Sequence, residues 1–217
     1  MSICSVNGCI GKYYAKGYCG KHYKQIRDFG KIRERTIHDP NEFIIDGDIC
    51  WVILYNQKCV EIARAKFDAK YYEQIYTSEL KWDLHIKGYA IAHWYDEDGI
   101  FQHIFLHQAI IQLSEQEIPN GCDIDHKDRD PLNCLDNNLR FCTVSENNQN
   151  NTIRKDNKSG QKGVAWHKLM KKWQAKININ GKRILLGFFD KIEDAARAYN
   201  VAAIKYHGEF AVLNKVS

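Results

Sequence analysis

The sequence predicts an α+β chain built from small modules, and three features carry that expectation. Cysteine and histidine cluster in the first residues. Runs of β-branched and aromatic residues, broken by turn residues, follow from Pro40. Near the end, an Asn-Gly turn signal precedes an alanine-rich stretch of helical spacing. The expected order is a small Cys/His module at 1–36, a β-rich segment leading into a hairpin-plus-helix site at 37–153, and a three-stranded antiparallel sheet packed on one helix at 159–214.

Of the 217 residues, 44% are hydrophobic and 27% charged, the composition of a folded globular chain. No apolar run approaches the roughly 18 residues that suggest a membrane span. The start, MSICSVNGC, lacks a charged flank followed by an apolar core. The expectation is therefore a cytoplasmic protein with no membrane partner. Charge is divided by region: residues 1–37 carry 8 Lys/Arg against 2 Asp/Glu, residues 152–217 carry 14 against 5, and residues 38–151 carry 9 against 20. Basic ends of this kind suit a polyanion.

In the first module Cys4 and Cys9 are followed by Cys19 and His22, spaced C-x4-C and C-x2-H. Four soft ligands match tetrahedral Zn²⁺, and so short a segment needs the metal for folding energy because it can bury little core. The stretch resembles small zinc-binding modules at the front of phage nucleases. The basic run KHYKQIRDFGKIRER after Cys19 is expected to form a short helix against phosphate.

From Pro40 the runs FIIDGDICWVILYN and CVEIARAKF read as strands, DAKYYEQIY as a short helix, and GYAIAHWY with IFQHIFL as a hairpin about the turn DEDG. No chemistry is legible in residues 40–100, and Cys50 and Cys59 read as buried small hydrophobes. LHQAIIQL reads as a helix broken by Pro119-Asn120-Gly121. His107 at its start is either structural or close to a site.

Residues 124–151, IDHKDRDPLNCLDNNLRFCTVSENNQNN, hold an Asp-His pair and seven asparagines. Locally CDIDH is a strand, LRFCT a second strand, and VSENNQNN a helix start. Asp125 and His126, adjacent on a strand, share a site only where the strand ends. Hydrolysing a phosphodiester needs a base for water and a hard cation for the growing charge. A long polar turn and a Zn²⁺ site on Cys122, His126, Cys134 and Cys142 are the competing readings. The second lacks paired-cysteine spacing.

The stretch resembles the HNH nuclease family, in particular its homing-endonuclease branch and its ββα-metal nuclease fold. Asp-His, a central asparagine, Asn-Leu-Arg and a last His or Asn on the helix carry the likeness, with His126 12 residues before Asn138 and 21 before Asn147. The resemblance implies His126 as general base, Asn138 as brace of the loop and orienter of the histidine, and Asp125 with Asn147 as ligands of Mg²⁺ or Mn²⁺. The last position is Asn147 and not histidine, which favours a hard ion.

At the C-terminus residues 163–168, 172–179 and 182–189 read as strands, the last two joined by Asn180-Gly181. Alternation sends Val164, Trp166, Trp173, Ala175, Ile177, Ile184, Leu186 and Phe188 to the core. Ala165, His167, Gln174, Lys176, Asn178, Arg183 and Leu185 then lie outward. Ile192, Ala195, Ala196, Tyr199, Ala202, Ala203 and Tyr206 recur at helical spacing, and Gly208 ends the helix. Through KGV, KW-x-A-x-I, LG-x-F, AA-x-AY and HGEFAVLN the module resembles the plant ethylene-response-factor type of DNA-binding domain. That likeness implies a sheet face in the major groove, with Lys162, His167, Lys176, Asn178 and Arg183 at the DNA. Arg154–Ser159 reads as a flexible link.

The function expected is a site-specific DNA endonuclease of the homing type, acting on double-stranded DNA as a monomer that nicks, in a host cell if phage-encoded. The alternative is a sequence-specific DNA-binding regulator with an inactive nuclease fold. An RNA-binding module is disfavoured because both sheet tryptophans fall on the core face.

Overall fold

The computed structural model describes residues 4–6, 12–32, 35–153 and 156–216. Among them the chain forms thirteen strands in five small sheets and five α-helices. Two compact units separate, Met1–Pro40 with Tyr55–Ile62 and Asn41–Leu54 with Ala63–Ser217.

In the first unit β1 (Tyr13–Ala15) and β2 (Tyr18–Cys19) pair across a turn, and α1 (Gly20–Phe29) follows at once. Gly30 takes φ 71°, a left-handed conformation glycine adopts without strain, and its N–H caps the Ile26 carbonyl. The helix expected after Cys19 is thus present.

The second unit opens with β3 (Phe43–Asp46), β4 (Ile49–Tyr55) and β5 (Glu61–Asp68) in one sheet, then α2 (Tyr72–Thr77). A second sheet comprises β6 (Trp82–Leu84), β7 (Ala90–Tyr95) and β8 (Phe101–Phe105), and α3 (Leu106–Leu113) continues directly from it. Their inner faces share a core around Leu54, Phe67, Trp82, Leu106 and Ile110. Buried Asn41 ties the sheets together: its amide donates to the carbonyls of Ile53 and Trp82, and its Oδ1 accepts from the Trp82 N–H. Strand β6, with three residues, is too short for alternation to reveal. Cys50 is buried in this core as expected, whereas Cys59 is only half-buried and sits in a turn at φ 58°.

The same core extends to Cys134 and Leu139. β9 (Cys122–His126) and β10 (Leu139–Thr143) form an antiparallel hairpin, and α4 (Val144–Asn150) follows. A capping box starts α4: Thr143 Oγ1 accepts the Glu146 N–H, and the Glu146 carboxylate accepts the Thr143 N–H at 2.7 Å. The loop between β9 and β10 docks on β5, where the Lys66 N–H donates to the Leu132 carbonyl and the Cys134 N–H to the Lys66 carbonyl, each at 2.8 Å. β5, in the stretch 40–100 where the sequence showed no chemistry, therefore supports that loop.

β11 (Val164–His167), β12 (Lys172–Ile179) and β13 (Lys182–Phe189) form the last sheet, and α5 (Ile192–His207) packs across it. Asn180 and Gly181 both have positive φ, 49° and 78°, as a tight two-residue hairpin turn requires. The expected alternation fails here, and Ile184, expected in the core, is 44% exposed. Ala175 pairs with Gly187 but Lys176 with Leu185, so Leu186 is an extra residue in β13. This bulge shifts the alternation: Phe189 joins the core, while Phe188, opposite Gln174, packs on His167 at 5.1 Å. Trp166 meets Trp173 edge to face yet stays 47% exposed. Of the two sheet tryptophans expected in the core, only Trp173 packs against it.

The link expected to be flexible at Arg154–Ser159 is hydrogen-bonded in its second half. Arg154 and Lys155 lie outside the described residues, but Asn157 Oδ1 accepts the Ser159 and Gly160 N–H groups, and Ser159 Oγ donates to the Val164 carbonyl. Its second half is a pinned turn.

Gly163 is the tightest point of this module. At φ 74°, a Cβ there would meet the Tyr199 ring at 2.1 Å and the Lys176 carbonyl at 2.5 Å. Gly163→Ala should cost about 2 kcal/mol or more through overpacking and a left-handed backbone. Urea unfolding followed by tryptophan fluorescence would measure it.

Candidate active site

Hairpin register builds the site. Asp125 and His126 are the last two residues of β9, and Arg140 lies directly opposite Asp125 on β10. The Arg140 guanidinium donates from Nε and Nη2 to Asp125 Oδ2 at 2.9 and 2.8 Å. Asn150, at the end of α4, donates Nδ2 to both Asp125 oxygens and to the His126 carbonyl at 2.9–3.0 Å. Oδ2 is thus crowded, and Oδ1 accepts from Asn150 alone. Both residues of the pair are buried.

His126 is walled by aromatic rings: His107 edge to face at 5.1 Å and Tyr89 at 5.9 Å between centroids. Its Nε2 is buried without a hydrogen-bond partner. Burial pushes its pKa below the ordinary value, against the opposing pull of Asp125, Asp128 and Asp130. His107 stacks on Phe105, and burial, with His126 beside it, pushes its pKa down to about 3. The position left open by the sequence is therefore at the site.

Asn138 braces the loop. Its Oδ1 accepts the Asp128 N–H, and its Nδ2 donates to Asp128 Oδ1 and to the Asn133 carbonyl at 2.9 and 2.7 Å. Burial raises the Asp128 pKa, but donors from Asn133, the Asp130 N–H and Asn138 outweigh it and hold the carboxyl below its usual range. Asn133 is buried and donates to Asp128 at 2.6 Å.

Asp125, His126, Asn147 and Asn150 line one cavity of about 230 Å³, with Lys87 and Arg129 at its wall. Asp125 Oδ1 and the Asn147 carboxamide supply oxygen donors, which fit a hard divalent ion that keeps waters and takes phosphate oxygens. Arg140 entered the sequence reading only as the end of Asn-Leu-Arg, with no role, and Asn150 was missed. Asn150 lies three residues from Asn147 on α4, a spacing that places both on one helix face.

In the first unit Cys4, Cys19 and His22 are buried, and one ligand atom from each lies within 4.8 Å of the others. The His22 Nδ1 is 3.1 Å from Cys4 Sγ and 3.5 Å from Cys19 Sγ. Sulfur and imidazole donors so placed can hold a metal ion. Cys9, the expected fourth ligand, lies outside the described residues.

On the C-terminal sheet Asn178 and Arg183 pair across β12 and β13 and are exposed. Lys176 and His167 are half-buried, and His167 Nδ1 accepts the Met170 N–H. Lys162 is used differently from the expectation: its ammonium donates to the Gln149 and Asn151 carbonyls at 2.5 and 2.6 Å, and burial pushes its pKa down to about 8. It holds the end of α4 and is spent there.

Comparison with known proteins gives the family. Residues 105–149 match the HNH endonuclease family model. An uncharacterized HNH endonuclease of Acanthamoeba polyphaga mimivirus is 34% identical over 187 residues, 86% of this chain and 92% of that protein. The chain belongs to the HNH endonuclease family. Protein 3.8 of Escherichia phage T7 is 34% identical over 105 residues, 48% of this chain and 86% of its own length. An AP2-like ethylene-responsive transcription factor of Arabidopsis thaliana is 46% identical over 55 residues, 24% of this chain and 10% of that protein. Among the described residues no helix is long and apolar enough to cross a membrane.

The buried imidazoles set an acid limb of stability. Unfolded His107 binds a proton near its ordinary pKa of 6.5 and the folded residue only near 3, so between these values the unfolded state holds more protons. Stability should fall on acidification from pH 6.5, by up to about 1.4 kcal/mol per pH unit for one such group. His107→Phe, which keeps the stacking, should flatten a plot of melting temperature against pH between 6.5 and 4; the native slope retained in the variant would exclude His107 as its source.

Proposed function

We propose that the protein is a divalent-metal-dependent DNA endonuclease of the homing type that nicks duplex DNA as a monomer. The observation that carries this reading is the single cavity lined by Asp125, His126 and Asn147 beneath a loop braced by Asn138. In a ββα-metal nuclease arrangement made of β9, β10 and α4, His126 removes a proton from water and the resulting hydroxide attacks phosphorus in line. With Nε2 enclosed, Nδ1 is the nitrogen assigned to that water. The depressed pKa of His126 keeps it neutral, as a base must be near pH 7. Asp125 Oδ1 and Asn147 would hold Mg²⁺ or Mn²⁺. When bound, the ion offsets charge on the phosphate and the leaving 3′ oxygen.

The modules at 1–36, 37–153 and 159–214 divide the work. The C-terminal sheet reads the major groove with His167, Lys176, Asn178 and Arg183, supported by the likeness of its 55 residues to part of a plant transcription factor. Arg183 suits guanine, and the lysine suits phosphate. Zn²⁺ on Cys4, Cys9, Cys19 and His22 folds the first module, whose basic helix adds contacts along the duplex.

The test is a nicking assay on supercoiled DNA carrying a library of sites, with Mg²⁺ or with chelator. His126→Ala should lower the rate by roughly 10²- to 10⁴-fold without loss of DNA binding. If the native protein binds DNA and cuts under no divalent ion, the endonuclease reading fails and a DNA-binding regulator replaces it.

For the first module, elemental analysis should find one zinc per chain. Cys19→Ser and His22→Ala should each lose it together with protease resistance of the N-terminal segment, because metal and folding energy are coupled there. Zinc retained in full by both variants would exclude this ligand set.

A further inference from the structure

Arg140 makes connections that neither a base nor an ion ligand explains. Its side chain is 9% exposed. While Nε and Nη2 hold Asp125, Nη1 donates to the backbone carbonyl and to the carboxylate of Glu209, both at 3.1 Å. The Phe210 ring lies under the guanidinium, 3.7 Å from Cζ to centroid. Glu209 and Phe210 belong to the 3-10 turn that follows α5, in the C-terminal module. A second strap from that module reaches the same place: Lys162 grips the carbonyls on either side of Asn150, and Asn150 holds Asp125 and the His126 carbonyl.

We infer that the C-terminal module is part of the mount of the catalytic carboxylate: Glu209 and Phe210 hold Arg140, and Arg140, as a positioning residue, fixes Asp125 with Oδ1 turned to the ion. This rests on the reading of Asp125 as an ion ligand. The electrostatics require such a hold. A guanidinium beside Asp125 orients it through a fixed fork of donors, yet its positive charge also opposes a divalent cation. The Glu209 carboxylate on the far side of Arg140 offsets part of that opposition. Since Glu209 is 70% exposed, its charge is screened, and the larger share of the hold falls to its backbone carbonyl and to the Phe210 face. Loss of this hold on Arg140 would thus weaken the ion site.

The test uses the full-length chain and reads Mn²⁺ binding from the electron paramagnetic resonance of the free ion, with Asp125→Ala defining the background. Arg140→Lys should weaken Mn²⁺ binding about 10-fold or more, the usual range for partners of metal ligands. Glu209→Gln with Phe210→Leu should weaken it by about threefold or more and add nothing further when combined with Arg140→Lys, as coupling through one residue demands. Duplex binding in chelator should stay at the native level in all of them. If Phe210→Leu does not fold, Glu209→Gln alone, at an exposed carboxylate, carries the module arm.

Native Mn²⁺ affinity in the Arg140 and Glu209 variants, or losses that simply add, would overturn the inference. So would native protein that binds no more Mn²⁺ than Asp125→Ala. Cleavage by the native protein with unchanged Arg140 variants would leave the nuclease reading standing and remove this one. Arg140-dependent Mn²⁺ binding without cleavage would do the reverse.

Discussion

A carboxylate buried at the end of a strand is costly unless several donors hold it, and Asp125 has them: a guanidinium from the facing strand and a carboxamide from the following helix. These contacts join β9, β10 and α4 at one point. They also fix the direction of the neighbouring His126, whose carbonyl shares the Asn150 amide. Because Arg140 and Asn150 each reach Asp125 from a different element, a shift of the hairpin by one residue would break the cluster. The hairpin register and the position of α4 are therefore constrained together.

The loop between the two strands is held from below as well as from within. Backbone hydrogen bonds stitch it to β5, and the Asp136 N–H donates to Asp68 while its carboxylate accepts from Tyr71. Within the loop, the buried side chains of Asn133 and Asn138 both donate to the exposed Asp128 carboxylate, and Asn138 also donates to the Asn133 carbonyl. The scaffold at 41–113 acts through this docking, since its two sheets and α3 supply the surface on which the loop rests and the His107 ring that walls His126.

The asparagine-rich stretch shows how local and distant information divide. Asn138 and Asn147 carry motif spacing and were singled out from it, and the strands and helix around them follow from alternation and a capping box. Asn150, though on the same helix face, stood outside the motif. In the C-terminal sheet, the turn at Asn180-Gly181 was legible because only a few residue types tolerate its backbone. The bulge at Leu186 left no such mark, and Phe188 and Phe189 exchanged faces because of it.

The sequence by itself determined the order and type of nearly every element and the pairing of an Asp-His dipeptide with two asparagines, because hydrophobic period, turn chemistry and capping act over a few residues. Tertiary structure alone decided the partners of the charged groups. Arg140 meets Glu209 across 69 residues of chain, and the ammonium of Lys162 is drawn to the carbonyls of α4 and away from the surface its sequence position suggested. A charge in the interior takes whichever partners packing brings within reach, and that choice depends on how separate elements dock, which no local pattern encodes.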